Sequence, residues 1–173
     1  MRRQLAIAAL AAVAPIAALA GGTAIEPVNR IIDIAKARWE TTDANGPDYF
    51  DKIDRDFSKK FVATYKQASK YPVYDGSDSP FDYDVITSSQ DGCPLKNIKV
   101  ASEDEKHGIT VVDASFKMWS CADDASRDKV SQLKFDVVVE NGEPVIDDIH
   151  RNNDGKWDSL MAEMNDIIKS GQQ

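Results

Sequence analysis

The chain has 173 residues, 29 acidic against 21 basic, for a net charge of −8; 42% is apolar, with 9 Gly, 7 Pro and 2 Cys. That is one domain's length of ordinary globular composition, which excludes collagen-like, coiled-coil and disordered classes. A nucleic-acid binder is also excluded, because acidic surface repels phosphate and no basic run offsets it.

Arg2 and Arg3 form a short positive segment ahead of an apolar run from Leu5 to Ala20, interrupted at Pro15. Ala18-Leu19-Ala20 fits the small-x-small cleavage pattern, and Gly22-Thr23-Ala24 is a second candidate. The pattern predicts a secretory signal peptide over residues 1–24, cleaved after Ala20 or Ala24, and hence a periplasmic mature chain. The competing reading is an uncleaved membrane anchor, since the run is nearly long enough to span a bilayer, although alanine makes it only weakly hydrophobic. Removal of 1–24 takes away two Arg and no acid, leaving 19 − 29 = −10 over 149 residues. Residues 25–173 then form a single acidic domain, large enough for one core.

In the mature chain Val28, Ile31, Ile32, Ala35 and Trp39 recur at helical spacing after Pro27, a helix-start signal. Asn45-Gly46-Pro47 breaks the chain, and Phe50, Ile53, Phe57, Phe61 and Tyr65 predict a second helix that ends before Tyr71-Pro72. Both stripes read as core-facing. A turn-rich stretch from Tyr71 to Pro80 follows, after which the apolar period falls to two. This predicts strands near 81–87, 95–103, 108–119, 129–140 and 143–151. A last helix follows Asp154-Gly155, with Trp157, Leu160, Met161, Met164 and Ile168 as its stripe and Gly171 as its stop.

Cys93 and Cys121 are an even count in an exported chain and read as a disulfide. The alternative, a thiol nucleophile served by His107 or His150, has no protease-like or Cys-x-x-Cys signature behind it. Trp119 is expected beside the bridge, and Trp39 and Trp157 are expected to anchor their helices in the core.

Asn141-Gly142 predicts a two-residue type I′ hairpin, because both residues tolerate positive φ. The turn sets a register in which Val139 faces Pro144, Val137 faces Ile146, Asp136 faces Asp147, Phe135 faces Asp148 and Leu133 faces His150. Pro144 then falls where its missing N–H points away from the partner strand, so the far side of that strand is expected to be unpaired there. Two helices, a run of antiparallel strands and one helix make an α+β layout.

The two N-terminal helices, the Pro80-Phe81-Asp82 strand entry, the long hairpins and the ending Pro144-Val145-Ile146-Asp147-Asp148-Ile149 resemble the nuclear-transport-factor-2-like superfamily. More narrowly, residues 28–151 resemble an uncharacterised family of exported bacterial domains within it. Pro144 stands where that family usually has an aromatic residue. The resemblance implies a cone (cystatin-like) fold: a strongly curved antiparallel sheet wrapped on the N-terminal helices around a pocket, here with a C-terminal helix added. It also implies dimerisation through the open sheet face in some members. The superfamily hosts isomerases, dehydratases, binders and protein-interaction modules, so the fold does not choose among them.

In the expected register Asp148 and His150 share a face with Phe135 and Val137, making these four the candidate ligand-binding residues. A carboxylate and an imidazole two residues apart in an apolar pocket is a pairing that proton transfer uses. The competing readings are solvation at the rim, or Asp148 accepting backbone N–H bonds. Asp136 opposite Asp147 is a like-charge pair that a Ca²⁺, Lys134, Arg151 or solvent would relieve. Calcium-loop spacing fails twice. The loop ending at Gly155 has Met161 where a bidentate Glu belongs, and the loop ending at Gly46 has Lys52 there. No nucleophile-elbow, phosphate-loop, zinc-protease or dinucleotide fingerprint occurs, so no metal or cofactor is expected. The acidic clusters at Asp43–Asp56, Asp75–Asp84, Glu103–Glu105 and Asp123–Asp128 read as solvated faces or as a docking surface for a basic partner.

The resulting expectation is an exported, non-enzymatic domain that binds a small ligand or a protein partner in the cell envelope, an inhibitor or immunity role being one version. The alternative is a small pocket enzyme, an isomerase or hydrolase, with Asp148 as base and His150 as its partner.

Overall fold

Pro27 in the first turn and apolar residues on one face give α1 (Ile25–Glu40), which buries Val28, Ile31, Ile32 and Ala35. The computed structural model describes residues 23–40 and 48–173. The segment up to Gly22, where the signal peptide is expected, and the Asn45-Gly46-Pro47 break lie outside the described residues.

The second apolar stripe does not make one helix. It divides into a turn at 49–52, a single helical turn α2 (Ile53–Asp56) and α3 (Lys59–Ala68). The break has a local cause. Ser58 is extended, accepts the Phe61 N–H as N-cap, and sends its own N–H to the Ile146 carbonyl at 2.8 Å. Phe57 beside it forms a parallel bridge with Ile146, so the sheet competes with the helix for these two residues. Phe50, Phe57, Phe61 and Tyr65 still touch one another, with Phe57 and Phe61 stacked at 4.4 Å.

Strands β1 (Lys96–Ser102), β2 (Thr110–Lys117), β3 (Ser131–Glu140) and β4 (Glu143–Asn153) form an antiparallel meander, and β5 (Lys156–Trp157) completes the order β1-β2-β3-β4-β5. The expected strand at 81–87 is absent. Asp84 accepts the N–H groups of Ile86 and Thr87 at 3.0 and 2.9 Å, and that side-chain turn displaces a ladder. Only an isolated bridge, Asp84 with Ser89, remains there.

The sheet buries Val112, Ala114, Phe116, Leu133, Phe135, Val137, Ile146 and Ile149 against α1 and α4 (Leu160–Gly171). The α4 helix is capped by Ser159 and contributes Leu160, Met161 and Met164 to the same core. Trp157 is not part of that helix. It sits in β5, 43% exposed, with Lys134 Nζ 5.5 Å from its ring. Trp39 and Trp119 are partly buried against the core. The Cys93–Cys121 disulfide is present.

Asn141 and Gly142 have φ of 54° and 86°, and the hairpin they make follows the expected register as far as Val137 with Ile146. Asp147 then bulges out, and from there the pairing shifts by one: Asp136 faces Asp148, Phe135 faces Ile149, Lys134 faces His150 and Leu133 faces Arg151. Asp147 does not face Asp136; it is held outside the ladder by Ser58 Oγ at 2.6 Å and Lys60 Nζ at 3.0 Å. A one-residue slip exchanges the two faces of a strand. Asp148 and His150 therefore lie on the face opposite Phe135 and Val137, and Arg151 turns inward. Beyond β3, the edge of β4 meets Phe57 at Ile146, Asp158 at Arg151, and β5 at Asn152 and Asn153, and Pro144 lies clear of these partners.

Candidate functional site

Asp154 and Gly155, with φ of 51° and 88°, turn the chain between Asn153 and Lys156 as tightly as Asn141-Gly142 does. This second hairpin brings Asp158 back against Arg151. The Arg151 N–H donates to Asp158 Oδ1 at 2.9 Å, and the Asp158 N–H donates to the Arg151 carbonyl at 3.1 Å. The Arg151 side chain is 7% exposed, and its guanidinium gives Nε and Nη2 to Asp158, Nη2 to Glu163 at 2.6 Å, and Nη1 to the Tyr83 oxygen at 2.5 Å. Tyr83 donates its O–H to Glu163 at 2.6 Å. Four residues from the 83 loop, β4, the β5 exit and α4 thus form one closed set of charge-assisted bonds. Burial and the Glu163 bond push the Tyr83 phenol up, so it stays protonated. Burial opposes the Arg151 charge, but its bonds to Asp158, Glu163 and Tyr83 outweigh that and raise its pKa.

On the outer face His150 fills the gap between two carboxylates. Its Nε2 is 3.0 Å from Asp136 and 3.8 Å from Asp148, and its Nδ1 is 2.9 Å from the Asp158 carbonyl. Two acceptors on two ring nitrogens suit the imidazolium. The Asp136 hydrogen bond, opposed by burial and helped by the Asp158 carbonyl and the Asp148 charge, pushes the His150 pKa up to about 9. That cation relieves the like-charge pair now formed by Asp136 and Asp148. Asp148 itself accepts the Ser159 hydroxyl at 2.5 Å and the Met161 N–H at 3.0 Å, pinning the start of α4 to β4.

A folded-state pKa raised above the unfolded value near 6.5 gives a stabilisation that is fully present below pH 6.5 and lost as pH rises through about 9. With His150 26% exposed and screened by solvent, about 2 kcal/mol is expected. Unfolding free energies at pH 6 and pH 9.5 should differ by that amount more in the wild type than in His150→Gln; equal pH slopes would contradict the pairing.

Above this set lies a cleft of about 1000 Å³ between α4 and the 71–80 loop. Val73, Pro80, Trp157, Ala162 and Ile167 make its wall mainly apolar, and His150 and Arg151 line its base. Asp158, Glu163 and Asp166 give its mouth acidic character. Gly171 packs so closely on the Tyr71 ring that no Cβ would fit there, which is how the helix end closes one side.

Of the four candidate ligand-binding residues, His150 lines this cleft; Asp148 does not, and Phe135 and Val137 are 0% and 2% exposed within the core. His107 lies in the β1–β2 turn with a φ of 57°, and both cysteines are in the bridge. Two acidic residues expected at solvated faces are instead buried: Asp56, held by Arg30 at 2.7 Å and by Arg55, and Asp84, held by Tyr49 at 2.6 Å. Tyr83, Arg151, Asp158 and Glu163 were not among the sequence candidates. The signal that leads to them is Asp154-Gly155 read as a hairpin, which sets Asp158 opposite Arg151.

Comparison with protein-family models, with curated proteins and with solved structures finds no significant match.

Proposed function

We propose that this chain is an exported, periplasmic binding domain of the nuclear-transport-factor-2-like kind, which seats an apolar ligand or partner side chain carrying a positive charge in the α4 cleft. The observation that carries this reading is the division of labour in the cleft. The cationic groups at its base, His150 and Arg151, are already neutralised by the protein's own carboxylates, Asp136, Asp158 and Glu163, while the apolar wall and the 76%-exposed Asp166 carboxylate are left to face a ligand. An apolar pocket with few convergent charges is a binding architecture. The export-type N-terminus, the disulfide and a charge of −8 favour a cationic target, and an inhibitor or immunity protein is one form such a binder takes.

The alternative enzyme has less support. Asp148 gives both carboxylate oxygens to the start of α4, and a His150 that is protonated up to about pH 9 is a poor general base near neutrality.

Ala162 is exposed on α4 and lines the cleft, so Ala162→Trp fills the space without touching the core. Native mass spectrometry of protein purified from the periplasm under non-reducing conditions should find a retained amine-bearing molecule or partner on the wild type and a bare chain for Ala162→Trp. A wild type that is bare in every preparation, or a variant that retains the same mass, would overturn the reading.

A further inference from the structure

A second cleft, of about 710 Å³, is lined by the end of α1, the 48–50 turn, α3, and the 74–83 and 84–92 segments. The 48–50 turn supplies Tyr49 and Phe50, α3 supplies Tyr65, and the 74–83 loop supplies Tyr74 and Tyr83. Phe50 and Tyr65 lie 4.1 Å apart, and Tyr49 meets Phe50 edge-on at 6.4 Å, so these three rings form a continuous surface. Interleaved with them are the carboxylates of Asp48, Asp82, Asp84 and Asp91, which among the described lining residues give four negative charges against the guanidinium of Arg38. Aromatic faces and carboxylates converging on one space attract a cation by ring quadrupole and by charge together.

The protein already shows the chemistry. Arg38 Cζ stands 5.2 Å from the centre of the Tyr49 ring, and its guanidinium lies 3.6 Å from both Asp48 and Asp84. Burial and Asp84 push the Tyr49 phenol up, so the ring stays neutral and adds no competing charge. Arg38 balances only one of the four carboxylates, and the 710 Å³ volume exceeds what one guanidinium fills. Trp39 adds a further aromatic side chain to the lining.

We infer that this cleft is a binding site for an alkylated ammonium group, of the choline or methylated-amine type. The site is separate from the α4 cleft and does not depend on what binds there.

Choline is the probe, with 3,3-dimethylbutanol as its neutral isostere, each titrated into the purified chain by NMR at fixed ionic strength so that general screening cancels. Choline is expected to bind saturably and at least about tenfold more tightly than the isostere. Tyr74 is 60% exposed and Asp82 is exposed, so Tyr74→Ala and Asp82→Asn leave the fold intact; each should weaken choline by about 3-fold. Asp123→Asn, at an exposed position outside the cleft, and Ala162→Trp should change nothing. Equal binding of choline and the isostere, no saturable choline binding, or loss of binding on Asp123→Asn as large as on Asp82→Asn would each overturn the inference.

Discussion

Replacing Arg151 by Met is expected to cost about 3 kcal/mol of stability, read as a lower urea midpoint at unchanged slope. The substitution keeps the stem's volume and removes the guanidinium that three other residues share. Asp158 and Glu163 then lose the counter-charge they share, which is the costly half of breaking a buried pair. The figure lies at the low end for buried pairs because Asp158 is 45% and Glu163 32% exposed, so water takes up part of the lost interaction. Arg151→Met combined with Glu163→Gln should recover part of the loss, because one of the stranded carboxylates is gone. A single-variant loss under about 1 kcal/mol would mean that the network behaves as an ordinary surface pair.

The same network shows where the sequence was legible and where it was not. Short-range signals with one physical solution were legible. Asn141-Gly142 has the positive φ pair it needs, the period-two residues Val112, Ala114 and Phe116 are buried together on β2, and Val28, Ile31, Ile32 and Ala35 are the buried face of α1. The C-terminal helix belongs to the same class, and the disulfide was legible from the pair of cysteines alone.

What stayed hidden depends on contacts between distant parts of the chain. The bulge at Asp147 exists where Ser58, 89 residues earlier, reaches the strand, and no count from the turn at 141–142 contains that contact. Because one extra residue reverses the faces, the sequence grouping of Asp148 and His150 with Phe135 and Val137 fails beyond it. The missing strand at 81–87 is a milder case of the same kind. Its apolar alternation is real, but Asp84 offers its own N–H acceptors locally, and Tyr49 anchors the carboxylate in place from another element. Arg151 looked like a bystander because its three partners come from positions 83, 158 and 163, and the tight turn at 154–155 brings only the Asp158 contact into view.

Removing the Cys93–Cys121 bridge by a double Ala substitution is expected to cost about 3.5 kcal/mol in the loop-closure account, a fall in Tm of roughly 10 °C for a domain of this size. The bonded residues are 28 apart, so the unfolded chain regains the freedom of most of the β1–β2 hairpin when the bond is absent. In the folded state the bridge ties the entry of β1 to the exit of β2, beside the hydrogen bond from the Cys93 N–H to the Met118 carbonyl at 2.7 Å. Gly92, next in the chain, sits so near Trp39 and Met118 that an added Cβ would lie 2.8 Å from the tryptophan ring. The bond therefore also holds Asp91 and Gly92 as one wall of the aromatic cleft. Two readouts separate these roles. Wild-type protein under reductant should match the double variant in midpoint, and choline binding, measured well below either midpoint, should weaken in both. A stability loss below about 1 kcal/mol would show that the Cys93–Met118 hydrogen bond and the packing of Gly92 hold this corner without the sulfur atoms. A full stability loss with unchanged choline binding would place the bridge's effect in the unfolded chain alone.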